Sequence, residues 1–356
     1  MDRRWVQMDI AKGLGILIIV FGHGWFVARS PEFMFPLLSP FILPLFFFLS
    51  GVLFNLNKGF AETFVEKADA LLKPFFVTML LYVVLRAIWR GNSLWQDIAG
   101  ILYGSVQTIP WQALWYLPHF WLVMIYSWVV LRTLKALQVS DLQGLSIVVL
   151  QLMFGVWLLG WSWQMPVDFA GTSYVLPGLP FSADVLLTSS AFFIAGFFFR
   201  SALRKHQSSV MSLAISALIF GMVFYLYPTS MDLAQRRYEH WFWTTLSGVS
   251  GVYLCWAISG VMEKVSWLSR AMIYVGQSSL IILIFHGEIQ NKAFAFLRIQ
   301  LGSDIWAALI ALLLSVMACL AIAQGISRVA VLRWFYWPLR LQRKSAAKVA
   351  AEGAPS

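Results

Sequence analysis

Apolar windows of about 18 to 20 residues follow one another along almost the whole chain, separated by short polar or charged clusters, and each window is about the length a helix needs to cross a bilayer. Ten such spans are expected, at residues 10–28, 34–54, 74–90, 113–132, 143–162, 181–199, 208–227, 242–261, 270–287 and 303–325. Between them the loops are short, apart from a charged segment at 58–73, suited to the membrane interface, and a Gly/Pro-containing stretch at 163–180. The first window is long and interrupted by polar residues, and no small-residue cleavage site follows it, so it reads as a retained span and not a signal peptide. The fold class expected is therefore all-α: a polytopic membrane protein with about ten transmembrane helices. Residues 1–330 form one membrane domain and 331–356 a basic cytoplasmic tail, disordered at its end.

Composition supports the same reading. The 356 residues are 60% hydrophobic and only 12% charged, with a mean hydropathy of +0.74, far from the balance of a soluble domain. With the N-terminus inside, most of the 26 lysines and arginines fall on the cytoplasmic side, including Arg3, Arg4, Lys12, Lys67, Lys73, Arg132, Arg200 and the tail. The positive-inside rule then puts both termini in the cytoplasm, which an even number of spans requires. The net charge of +10 is explained by topology and by a tail lying against anionic lipid, so no nucleic-acid partner is expected. Cys255 and Cys319 both fall inside spans and suggest neither a disulfide nor a metal site.

Ionisable groups in hydrocarbon are costly, and they mark the places where chemistry is to be sought. The stretch DIAKGLGILIIVFGH carries Lys12 and His23, 11 residues apart, which is three helical turns plus about 20° and a rise of about 16 Å on a single face. Lys12 falls at the cytoplasmic boundary and His23 past the midplane. A snorkelling anchor for Lys12 and a satisfied packing histidine for His23 are the competing structural readings. On the same topology His119, Asp184, His286 and Glu288 fall in the outer half of their spans. That shared depth suggests a reaction centre open to the outside and fed from the cytoplasm.

These motifs resemble the membrane acyltransferase-3 family of integral O-acyltransferases, in particular its fucose 4-O-acetylase-like branch. The resemblance runs over nearly the whole chain. A basic residue, ten intervening residues and a histidine open the first span, as Lys12 and His23 do. FILPLFFFLSGVLF (Phe41 to Phe54) looks like the second-span motif, with Ser50 and Gly51 near its end, and LLKPFF (Leu71 to Phe76) like the entry to the third. LWYLPHFWLV (Leu114 to Val123) and VGQSSLIILIFH (Val275 to His286) resemble the fourth-span and late motifs, while Asp184 and Gly196 look typical of the sugar-acetylase branch. Other branches carry a glutamate shortly after the fourth-span tryptophan, and Trp115 to Val123 contains none, so no role for it carries over. No soluble hydrolase-like domain is expected after the tenth span.

The resemblance implies transfer of an acyl group, usually acetyl from acetyl-CoA, to a hydroxyl of a glycan or lipid-linked sugar across the cytoplasmic membrane. Acetyl-CoA then enters as a substrate, with no permanently bound cofactor, and polysaccharide assembly proteins are the further expected partners. A cation at the inner mouth suits the phosphates of the donor, a role for Lys12, with Arg132 and Arg200 as helpers. The acceptor hydroxyl needs a base, and histidine titrates in the useful range: His23 is the expected catalytic residue, as general base or as acyl carrier. Trp25, Trp115, His119, Asp184 and His286 are the expected substrate-binding residues, the two tryptophans stacking on a sugar face and the histidines or Asp184 orienting His23 or binding hydroxyls. Ser50 is a candidate donor to the carbonyl oxygen. A multi-span secondary transporter or a non-catalytic glycan-export partner are the alternatives, although no inverted repeat is apparent.

Overall fold

The computed structural model describes residues 5–90, 94–161, 163–169, 172–205 and 209–339; of the expected basic tail, residues 340–356 lie outside the described residues. The chain is an assembly of helices: α1 (Val6–Gly22), α2 (Trp25–Arg29), α3 (Pro31–Val52), α4 (Phe60–Lys67), a π-helical turn (Ala68–Leu72), α5 (Lys73–Arg90), α6 (Leu94–Tyr103), α7 (Tyr116–Ala136), α8 (Asp141–Leu158), α9 (Leu186–Lys205), α10 (Val210–Leu226), α11 (Trp241–Met262), α12 (Ser266–Gln277), α13 (Ser279–Leu301), α14 (Asp304–Arg328) and α15 (Ala330–Tyr336). Two short antiparallel hairpins, β1 (Trp163–Phe169) with β2 (Thr172–Pro177) and β3 (Met231–Asp232) with β4 (Arg237–Tyr238), lie in loops. Among the described residues eight helices are long and apolar enough to cross a membrane. The helices α1 and α10, of 17 residues each, sit at the lower end of spanning length. The protein is an all-α polytopic membrane protein.

Two of the expected spans are drawn differently by the structure. The first ends at Gly22, not at residue 28: His23 is the C-cap, Gly24 is extended, and the chain restarts as α2. Glycines at 22 and 24 flank the break, and glycine weakens a helix by its backbone freedom; a Cβ on Gly24 would lie 2.8 Å from the Gln290 amide nitrogen and 3.0 Å from the Phe21 carbonyl oxygen. The ninth span, expected at 270–287, is split at Ser278 into α12 and α13. The polar run GQSS interrupts the helix there, and α13 continues to Leu301. His286 and Glu288, expected at the outer end of that span, therefore lie eight and ten residues into a helix of 23 residues.

The helix α1 is surrounded by α3, α11, α12, α13 and α14. Small residues let the backbones meet without side chains between them, the usual device where apolar solvent gives helices no hydrophobic reason to associate. A Cβ on Gly51 would collide with the Phe193 carbonyl oxygen and one on Gly196 with that of Phe48, so α3 and α9 touch through both glycines. Gly13 and Gly276 do the same for α1 and α12. Prolines 36, 40 and 44 repeat every fourth residue of α3, each removing a donor from the ladder. The Pro40 carbonyl, left without its helix partner by Pro44, faces Gly248 of α11. Facing outward are apolar side chains such as Leu85, Ile88, Leu150, Leu218 and Leu313, while His119, Thr188, Ser189, Ser190, His286 and Gln290 are buried. Polar groups inside and hydrocarbon outside is the arrangement a bilayer demands.

Replacing Gly196 with valine should drive α3 and α9 apart and destabilise the fold by about 1 to 3 kcal/mol. Thermal unfolding of the detergent-solubilised protein, followed by size-exclusion fluorescence, should show a lower midpoint for Gly196→Val and little change for Gly221→Val, whose Cβ would meet no neighbour within 4 Å.

Candidate active site

The polar face of α1 opens onto a cavity of about 830 Å³. Asp9, Lys12, Ile16, Ile19 and His23 all line it, a spacing of three or four residues that keeps one helix face toward the void over about 20 Å. The opposite walls come from α3, between Met34 and Ser50, and from α13, between Ser279 and Asn291. Trp111, Trp115, Tyr116 and Phe120 close the side. At the Lys12 end the lining includes Ser50, Ala70, Gln277 and Pro338; at the His23 end it includes Ser39, Asp232, Gln235, Glu288 and Asn291. Among the described residues Lys12 is the one lysine or arginine in this lining.

His23 caps the carboxyl end of α1 and is exposed to the cavity. Its Nδ1 lies 3.0 Å from the Ile19 carbonyl oxygen. Because a carbonyl oxygen can only accept, the neutral ring carries its proton on Nδ1 and leaves Nε2 with a free lone pair. Such a nitrogen can take a proton from a hydroxyl or attack an activated carbonyl. The ring stands 5.1 Å from that of His286, at 62° to it, with His286 Nε2 3.4 Å from His23 Nδ1.

The other residues singled out from the sequence are distributed unequally around this centre. Trp115 and Ser50 line the cavity, and Trp115 packs 5.4 Å from the His119 ring. His119 itself is fully buried, with Nδ1 3.1 Å from the Phe181 carbonyl and Nε2 2.8 Å from Ser189 Oγ, so both nitrogens are engaged within the protein. Trp25 lies on α2 beside Phe26 and Phe294 and is not part of the lining, although its neighbour Val27 is. Arg200 donates to the Val52 carbonyl at 2.7 Å and to the Phe54 carbonyl, satisfying the end of α3, while Arg132 stacks over Trp128 at 5.4 Å. Neither arginine lines the cavity.

Asp184 is held in a buried bidentate pair with Arg236, Oδ2 to Nε at 2.6 Å and Oδ1 to Nη2 at 3.0 Å. Its Oδ1 also accepts from the Leu179 amide at 3.2 Å. Arg236 lies over the Trp163 ring at 4.3 Å and donates to the Ala234 carbonyl at 2.7 Å. The pair thus ties the loop before α9 to the β3–β4 hairpin, whose Met231, Asp232, Ala234 and Gln235 form one rim of the cavity. Nearby, Tyr103 donates to the Gly178 carbonyl. Burial first, and then the Asp184 carboxylate, push this phenol above its ordinary value against an opposing pull from Arg236, which keeps it a donor. The sequence drew attention to Asp184 but not to Arg236; a partner 52 residues away has no local signature.

At the Lys12 end the chain closes on itself. Lys73 pairs with Asp69 at 2.6 Å and donates to the Trp337 carbonyl at 2.9 Å, and Asp69 accepts from the Leu339 amide at 2.6 Å. These bonds fasten the segment after α15 beside the π-helical turn, and Pro338 becomes part of the cavity wall. α15 therefore straddles the boundary expected at residue 330. The described residues contain no group of three or more histidine, cysteine, aspartate or glutamate side chains that could hold a metal ion.

The sequence profile of the acyltransferase-3 family, described as an acyltransferase domain, matches residues 5–324. No curated protein and no solved structure matches the chain.

Removing one partner of the Asp184–Arg236 pair should leave a buried unpaired charge and cost about 3 to 5 kcal/mol. In thermal unfolding Asp184→Ala and Arg236→Ala should each lower the midpoint strongly, with the double variant less destabilised than the sum of the two.

Proposed function

The chain belongs to the acyltransferase-3 family, and from that premise we propose that it is a membrane O-acetyltransferase. On this reading it carries an acetyl group from cytoplasmic acetyl-CoA to a hydroxyl of a glycan, or of a lipid-linked sugar, on the far side of the cytoplasmic membrane. The observation that supports the proposal best is that one cavity is lined by Lys12 near one end and by His23, with Glu288 and Asn291, near the other. An anionic donor needs a cation and a polyol acceptor needs hydrogen-bond partners, and the lining offers Lys12 for the first and Glu288 and Asn291 for the second. The bias of lysine and arginine along the sequence assigns the Lys12 end to the cytoplasm.

In this mechanism the donor lays its phosphates at Lys12 and extends its pantetheine arm along the apolar wall formed by Ile16, Ile19, Ile42 and Leu283. The thioester then lies near His23. Nε2 takes the proton of the acceptor hydroxyl as that oxygen bonds to the acetyl carbon; the carbon–sulfur bond breaks, and the departing thiolate recovers the proton from the imidazolium. The same nitrogen serves if the acetyl group passes through it as a covalent carrier. Trp111 and Trp115 offer apolar faces to a sugar ring, and Asp232, Gln235, Glu288 and Asn291 offer hydrogen-bond partners for its hydroxyls. Asp184 contributes indirectly, by holding the hairpin that carries Asp232 and Gln235.

The test is the O-acetyl content of cell-surface polysaccharide, by proton NMR, in strains with the wild-type gene, a deletion, or His23→Ala at matched expression. Acetyl signals should vanish in both altered strains; their persistence in all three would contradict the proposal. Lys12→Ala should raise the acetyl-CoA concentration for half-maximal transfer by about tenfold, the loss of one charge-assisted contact, in membrane-vesicle assays with labelled donor. A secondary transporter would instead show solute flux that survives without acetyl transfer.

A further inference from the structure

We propose that His286 is a positioning residue that, as a second acceptor beside the Ile19 carbonyl, locks His23 in the tautomer and orientation required for transfer; this rests on the acetyltransferase reading above. His286 is fully buried in α13. Its Nδ1 lies 2.8 Å from the Ile282 carbonyl oxygen and 3.1 Å from that of Leu283. Two acceptors at one nitrogen place the proton of the neutral ring there and leave Nε2 bare. That bare nitrogen faces His23 Nδ1 at 3.4 Å, and His23 Nδ1 also faces the Ile19 carbonyl at 3.0 Å. His23 Nδ1 thus meets two acceptors. A proton on Nδ1 is shared between them; a proton on Nε2 would instead set three lone pairs against one another.

The consequence reaches the cavity. With Nδ1 protonated, His23 Nε2 is the atom of the pair left for a substrate. When Nε2 accepts the hydroxyl proton, the Nδ1–H remains held by both acceptors and the imidazolium keeps its orientation. His286 occupies the place that a carboxylate takes beside the histidine of serine hydrolases. A neutral acceptor performs the orienting part of that role without the desolvation cost of a charged carboxylate at a fully buried position.

The test uses three variants of the full-length protein. The glutamine of His286→Gln would present a side-chain carbonyl near the position of Nε2, whereas asparagine is too short to do so and leucine lacks an acceptor. Two quantities are read: carbethoxylation of His23 by diethyl pyrocarbonate in nanodiscs, measured by mass spectrometry, and thiol release from acetyl-CoA in native membrane vesicles. His286→Leu and His286→Asn should slow both by about tenfold or more, with the half-saturating acetyl-CoA concentration unchanged, and His286→Gln should recover most of the loss. Equal impairment in all three variants, each eluting as folded protein, would overturn the proposal, as would wild-type rates in His286→Leu. If the wild-type protein releases no thiol while His23 modification still depends on residue 286 in this order, the tautomer lock stands and the acetyltransferase reading fails.

Discussion

Within hydrocarbon a polar group must be satisfied by the protein or by water the protein admits, and the arrangement of α1 follows from that constraint. Asp9, Lys12 and His23 lie along one helix face, and that face lines the cavity. The remaining faces are committed to close contact with α3, α11, α12 and α13. Ending the helix at Gly22 places His23 at the free end of α1, where its ring reaches the cavity while its Nδ1 stays tied to the last turn.

Keeping such a void open needs rigid walls, and the structure supplies them by two different means. In the interior, glycine contacts bring backbones together at the α3–α9 and α1–α12 crossings, where the approach is too close for any larger residue. At the His23 end, where the chain leaves the helical bundle, the charged pair of Asp184 and Arg236 pins a short hairpin to the loop before α9. At the Lys12 end, Asp69 and Lys73 fasten the chain after α15 across the π-helical turn. A cavity about 20 Å long is thus held by close backbone packing beside Lys12 and by ion pairs near both ends.

Hydropathy made the helices legible because each needs only a long apolar run. The 11-residue spacing placed Lys12 and His23 on one face, and both residues line the same cavity. What local sequence could not show are the contacts made over long separations: His286 meets His23 across 263 positions, and Arg236 meets Asp184 across 52. The break at Ser278 was hidden because the polar run GQSS is too short to divide an apolar window. Its effect was to put His286 mid-helix instead of at a surface. Arg132 and Arg200, assigned to the donor by charge alone, lie outside the cavity lining, one over an aromatic ring and the other on carbonyls at the end of α3.

The proposed function requires one cavity that joins the two sides of the membrane, with the donor entering at the Lys12 end. Gln277 and Asn291 are exposed residues lining its two ends, and the native Cys255 and Cys319 are buried, so single cysteines at 277 and 291 can be labelled with a membrane-impermeant maleimide in oriented vesicles. Gln277→Cys should react only from the cytoplasmic side and be protected by acetyl-CoA, and Asn291→Cys only from the opposite side. Labelling of both from one side, or no protection of position 277 by saturating acetyl-CoA, would contradict the account.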